Sequence, residues 1–238
     1  MLTTNLAEPG KWAPMPWNLD PPPGFQGLQP DRPVKMFQRH LPHWRQPGAT
    51  YFVTFRLTDS LPQNKFHELK ALREEWERKN PPPRTDQKWD ELWKATFVRV
   101  DEWLDQDAGS CCLRDDRAGR FVAGALRHFD GERYELGCSV VMPNHVHLVV
   151  RPFDEDDEAL SSITHSWKRF TSREINRSSN ATGELWQAES YDRIIRDEEH
   201  LWRTVQYIGR NPAKVAMKPN DCHLWISPDW EVLGWRFV

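Results

Sequence analysis

The chain has 238 residues, a net charge of -3 and a mean hydropathy of -0.77, enough length for one substantial core or one core with a large insertion. No apolar run is long enough to span a bilayer, and no basic stretch followed by an apolar one stands near Met1, so neither a membrane span nor a secretory signal is expected. A pI near 6.3 excludes a surface coated in positive charge, so any nucleic-acid contact must come from a local patch. Cys111, Cys112, Cys138 and Cys222 show no CxxC spacing, and reduced thiols in a cytoplasmic protein are the simplest account.

Residues 1–41 carry eight prolines and read as an irregular arm draped over the body. His43 to Gly48 reads as a turn. Thr50 to Leu57 alternates, with Tyr51, Val53, Phe55 and Leu57 on one side, and predicts a first strand. Phe66, Leu69, Leu72 and Trp76 have helical spacing up to Asn80, where Pro81-Pro82-Pro83 breaks the pattern. A second helix is predicted over 86–104 and a third over 120–129, ended by Asp130-Gly131. Tyr134 to Val141 predicts a strand that turns at Met142-Pro143-Asn144 into another, His145 to Val150.

The acidic run Asp154 to Glu158 suits a helix start, and the helix is expected to run to about Asn176. Lys168, Arg169, Arg173 and Arg177 give it a basic stripe. Leu185 to Ile195 is extended. Asp197 caps a last helix that Pro212 ends or kinks near Asn211. Residues 218–238 form an aromatic tail packed back on the body. The order predicts an α+β fold, a ferredoxin-like βαββαβ antiparallel sheet with helices on one face, and a helical insertion over about 64–130.

Side chains two apart on a strand share a face, so His145 and His147 project together as half of a divalent-metal site. Tyr207 and Asn211 lie one turn apart on the last helix. If that helix lies near the histidine strand, His145, His147 and Asn211 supply three ligands and Tyr207 stands beside the ion. Tyrosine has an ordinary pKa near 10 and needs such a cation or a base to act as a nucleophile. Tyr191 is the rival nucleophile, and its neighbours Asp192 and Arg193 are candidates for supporting the site or holding a DNA backbone.

Met142-Pro143-Asn144-His145-Val146-His147-Leu148 resembles the HUH strand of the single-tyrosine transposases. Leu185 to Arg193 and Tyr207-Ile208-Gly209-Arg210-Asn211-Pro212 resemble blocks of their REP-associated branch, as do Pro42 to Gly48 with Tyr51 to Phe55. The likeness covers roughly residues 42–217. It implies a ferredoxin-like catalytic domain that cuts and rejoins single-stranded DNA beside a hairpin through a 5′-phosphotyrosine link. It also implies Tyr207 as nucleophile, and Mg²⁺ or Mn²⁺ held by His145, His147 and Asn211. Lys168, Arg169, Arg173 and Arg193 are the candidate DNA contacts, in a monomer or homodimer. Two other readings stay open: a hairpin-binding relative that does not cut, and a metal phosphohydrolase. The latter class ordinarily uses more carboxylate ligands than stand near the histidine strand in sequence.

Overall fold

The computed structural model describes residues 14–16, 18–38, 42–217 and 222–238. The first thirteen residues of the expected arm and positions 218–221 of the expected tail lie outside the described residues. Strands β1 (Lys35–Gln38) and β2 (Pro42–Arg45) form an antiparallel ribbon where an irregular arm and a turn were expected. Strands β3 (Tyr51–Arg56), β4 (Tyr134–Val141), β5 (His145–Pro152), β6 (Tyr191–Ile194) and β7 (His223–Ile226) form the main sheet. Its order is β6-β3-β5-β4-β7, antiparallel throughout. Without β7 this is the ferredoxin-like arrangement, with the first and third strands of the unit paired at the centre.

Alternation along the central strands assigns two cores. Tyr51, Val53 and Phe55 of β3 and Val146, Leu148 and Val150 of β5 enter one; Phe52 and Val149 enter the other. Helices α3 (Asp116–Arg127) and α4 (Ala159–Ser179) cover the first face through residues such as Val122, Leu126, Ile163 and Trp167. These are the two crossover helices of the unit. The second face, expected to be open, is covered as well. Helix α2 (Asp86–Leu104) brings Trp93, Phe97, Val100 and Leu104 there, and α5 (Glu198–Lys214) brings Trp202, Val205 and Ile208. Strand β3 is accordingly buried at every position, with Phe52, Thr54 and Arg56 on this second face.

Of the three helices in the stretch read as an insertion, α3 therefore occupies a crossover position. Helices α1 (Gln63–Lys79) and α2 are the added pair, joined by Trp76 against Trp89 at 5.0 Å between ring centres. Helix α1 has no fully buried residue and packs on the second core only through half-buried side chains such as Phe66 and Leu69. Asp115 caps α3 by accepting from the Ala118 N–H, which starts that helix four residues earlier than the apolar pattern indicates. Asp197 caps α5 by accepting from the His200 N–H at 2.7 Å. Pro212 does not end α5, which runs on to Lys214.

A bulge at Leu136/Cys138 leaves Gly137 unpaired in β4, and Trp230 of α6 (Pro228–Val232) sits on it so closely that a Cβ would lie 2.1 Å from the indole. The N-terminal segment crosses the same region. Pro23 and Asp20 carbonyls accept from the indoles of Trp230 (3.3 Å) and Trp235 (2.8 Å), so the described part of the arm does lie against the body. Among the described residues no helix is long and apolar enough to cross a membrane.

Candidate active site

The turn between β4 and β5 closes with the Met142 N–H donating to the His145 carbonyl at 2.8 Å, and this sets the register of the histidine strand. Thr54 then stands opposite His147, and Arg56 opposite His145. Both imidazoles are fully buried on the α2/α5 face. Each is held through Nδ1. His145 Nδ1 lies 2.7 Å from Asn144 Oδ1, and the Asn144 amide donates at 3.2 Å to the carbonyls of Leu104 and Ala108. With its amide so used, Asn144 Oδ1 is an acceptor, so His145 carries its proton on Nδ1. His147 Nδ1 lies 2.7 Å from the Thr54 hydroxyl.

The two Nε2 atoms consequently converge, 2.9 Å apart. Two nitrogens bound at right angles to one ion at about 2.1 Å are about 3.0 Å apart, so the pair suits a divalent cation as well as a shared proton. Burial first, and for His145 the neighbouring ring next, hold both imidazoles well below the ordinary pKa. They are neutral, the form that ligates metal.

Asp101 of α2 reaches the same place, with Oδ1 3.6 Å from His147 Nε2. The ligand atoms of Asp101, His145 and His147 all lie within 4.8 Å of one another. The Tyr207 hydroxyl donates to Asp101 Oδ1 and stands 3.4 Å from His147 Nε2. Burial, then the Asp101 carboxylate, push the Tyr207 pKa well above its ordinary value. Its ring packs against Phe52 and Phe97, and Lys214 Nζ lies over it at 4.7 Å. Lys214 also binds Asp101 Oδ2 at 3.0 Å and Asp105 Oδ2 at 3.3 Å. One turn beyond Tyr207, Asn211 is fully buried and its amide donates to the Tyr207 carbonyl at 2.7 Å. That leaves its Oδ1 buried without a hydrogen-bond partner, an acceptor lacking only a cation or donor. Two neutral imidazoles and a carboxylate within 4.8 Å of one another are a donor set that fits Mn²⁺ and, less well, Mg²⁺.

Sequence reasoning missed Asp101, Lys214 and the supporting Thr54. The one signal for Asp101 was its position four residues after Phe97 and beside Val100, at the border of an apolar helix face. Tyr191, the rival nucleophile, is buried on β6 with its ring against Phe97 at 6.1 Å, and burial pushes its pKa up to about 12.

The candidate DNA contacts are placed unequally. Arg169 is exposed. Arg173 is exposed beside Glu174 at 3.1 Å. Lys168 is mostly enclosed: Nζ donates to the Gln187 and Ala188 carbonyls and to Ser190 at 2.9, 3.1 and 2.7 Å, and burial lowers its pKa to about 8. Arg193 is buried, 2.7 Å from Asp90 and over the Trp93 ring at 4.9 Å.

Two sequence blocks far apart in the chain meet at Asp192. Its carboxylate lies 2.7 Å from His43 Nδ1 and accepts from both terminal nitrogens of Arg45, while His43 Nε2 lies 3.0 Å from Glu189. The cluster borders a cleft of about 400 Å³ against α4.

No protein-family profile matches the chain. A curated protein of Haemophilus influenzae named "Putative REP-associated tyrosine transposase" is 27% identical over 89 residues, covering 34% of this chain. The chain spans about half the length of that relative, 51%. A solved structure described as a REP-associated tyrosine transposase bound to a REP hairpin aligns over 76% of this chain and 73% of its own, at 16% identity and a TM-score of 0.35. The resemblance to REP-associated tyrosine transposases read from the four sequence blocks is thus matched by a curated relative bearing that name.

Proposed function

We propose that this chain cleaves and rejoins single-stranded DNA beside hairpins, with Tyr207 as the nucleophile. One observation carries the reading: the Tyr207 hydroxyl, two converging imidazole nitrogens and the Asp101 carboxylate share a single buried site. The Tyr207 oxygen attacks a phosphodiester phosphorus, the bond to the 3′-oxygen breaks, and a 5′-phosphotyrosine and a free 3′-OH result. Asp101 Oδ1 accepts the hydroxyl's hydrogen bond and is placed to take its proton as the oxygen attacks, while the departing 3′-oxygen takes a proton from solvent. Lys214 fixes that carboxylate from its other oxygen. Attack by the 3′-OH of a second strand end reverses these steps and returns the proton to Tyr207. His145, His147 and Asn211 would hold a divalent cation, which when bound polarises a phosphoryl oxygen and offsets charge in the transition state. Arg169 and Arg173 are the exposed cations for the strand or its hairpin.

Asp101 also favours a second reading. A metal phosphohydrolase needs carboxylates beside its histidines, and α2 supplies one. Denaturing gels separate the two. A hairpin-bearing oligonucleotide with Mn²⁺ should yield a covalent protein–DNA adduct whose nucleotide maps by mass spectrometry to the peptide containing Tyr207. Tyr207→Phe should keep fold and hairpin binding while cleavage and adduct both vanish. Cleavage without adduct would make water the nucleophile.

A further inference from the structure

Helices α3 and α4 cover the face of the sheet opposite the histidines, and on their outer side they leave a groove of about 470 Å³. Trp167 and Ala125 form its floor, and Phe121, Phe129 and Phe170 stand around it. Phe170 is 42% exposed. A Cβ at Gly124 would meet nothing within 4 Å, so the groove is open beside the middle of α3. Each of the three phenylalanine rings carries a guanidinium: Arg117 lies over Phe121 at 5.7 Å, Arg133 over Phe129 at 5.4 Å and Arg173 over Phe170 at 5.6 Å. The two helices hold seven lysines and arginines, three on α3 and four on α4, against the two carboxylates of Asp116 and Glu174, in a chain of net charge -3. Asp116 pairs with Arg120, and Glu174 with Arg173 and Arg177, but these arginines stay mostly exposed and such surface pairs hold weakly. Among the described residues Arg117 is in no ion pair and is exposed.

We propose that this groove is a docking site for single-stranded nucleic acid, with unpaired bases stacked on Phe121 and Phe170 and the strand's phosphates met by Arg117, Arg120 and Arg173. An acidic amphipathic helix would match the charge, but it seats aliphatic side chains in aliphatic sockets, and Ala125 is the one aliphatic side chain of the lining. Flat rings backed by guanidinium groups are a stacking surface, and every base has a face to lay on them. The groove and Tyr207 lie on opposite faces of the sheet, so a strand engaged at both passes round an edge of it. On the proposed function, which this part of the inference rests on, the groove holds unpaired nucleotides next to the hairpin and supplies affinity, not chemistry.

The test uses the full chain and two probes, a single-stranded thymidine oligomer carrying iodouracil and a hairpin-bearing oligonucleotide with an unpaired flank. Irradiation should cross-link the iodouracil to peptides containing Phe121 or Phe170, identified by mass spectrometry. Phe170→Leu keeps an apolar side chain at a partly exposed position and removes the stacking face, so the Kd for the oligomer should rise at least about 5-fold. Gly124→Leu fills the groove and removes a glycine from a helix interior. Binding should fall while the Tm holds or rises, a combination that misfolding does not give. Arg117→Gln should lower the slope of log Kd against log salt by about 0.7, as loss of one phosphate contact on a single strand requires. Cross-links confined to other peptides, with Gly124→Leu binding as wild type does, would overturn the site. An acidic amphipathic peptide whose binding Gly124→Leu abolishes, while oligomer binding is untouched, would overturn the nucleic-acid assignment and make the groove a protein-docking surface. Groove cross-links in a wild-type protein that forms no covalent adduct with the hairpin oligonucleotide would leave the groove standing and sink the proposed function.

Discussion

Two imidazole nitrogens 2.9 Å apart in a sealed site are useful only if each ring is held from behind. Thr54 does this for His147. Thr54→Val keeps the shape and removes the hydroxyl, so Mn²⁺ affinity measured by calorimetry should fall roughly 10- to 100-fold with the sheet intact. His43 offers a second test at this scale. Asp192 and Glu189 raise its pKa to about 9 against the opposing effect of burial. A raised folded-state value means the stabilisation is complete below the ordinary pKa near 6.5 and is lost as pH climbs through about 9. Lys168, lowered to about 8 by burial, acts in the opposite sense over part of that range. The difference between wild type and His43→Gln isolates the histidine: it should be roughly 3 kcal/mol near pH 6 and shrink towards zero above pH 9 in chemical denaturation. A difference independent of pH would mean that His43 contributes packing and not charge.

At the scale of elements, the bulge in β4 gives the sharpest forecast. Gly137→Ala places a methyl inside the Trp230 ring, which has no room to retreat, and should cost about 1–3 kcal/mol with a lower Tm. Elements with a strong period were legible in the sequence. The bounds of α2 and β4 fall where the pattern places them, because Trp89, Leu92, Trp93, Phe97 and Val100 repeat at helical spacing and Tyr134 to Val141 is bounded by turns. The same is true of His145 with His147 and of Tyr207 with Asn211, pairs fixed by spacing within one element. What spacing does not carry is the meeting of elements. Asp101 belongs to an added helix, and only the fold brings it to His147. Charge in the sequence also does not tell which side of a strand or helix meets solvent: Arg193, a candidate DNA contact, lies buried against Asp90 and Trp93 of α2.

For the whole molecule, a net charge of -3 gives no overall attraction to DNA, so on the proposed function hairpin binding rests on a few local cations and should weaken with salt on a modest slope. The cover laid by α2 over the second face has a larger consequence. Tyr207 is 6% exposed and both histidines 0%, so on the proposed function a strand reaches them only when the cover opens around the Tyr207 hydroxyl. Activity then scales with the fraction of molecules in which the cover has opened with Asp101 still beside the hydroxyl, and apparent affinity is diluted by the same fraction. Stability and turnover should therefore oppose each other along α2. Leu104→Ala, which removes a buried anchor without touching the donor set, should lower the Tm of the resting protein and raise its initial cleavage rate, whereas the same truncation at Leu126, under the opposite face, should lower the Tm with no gain in rate.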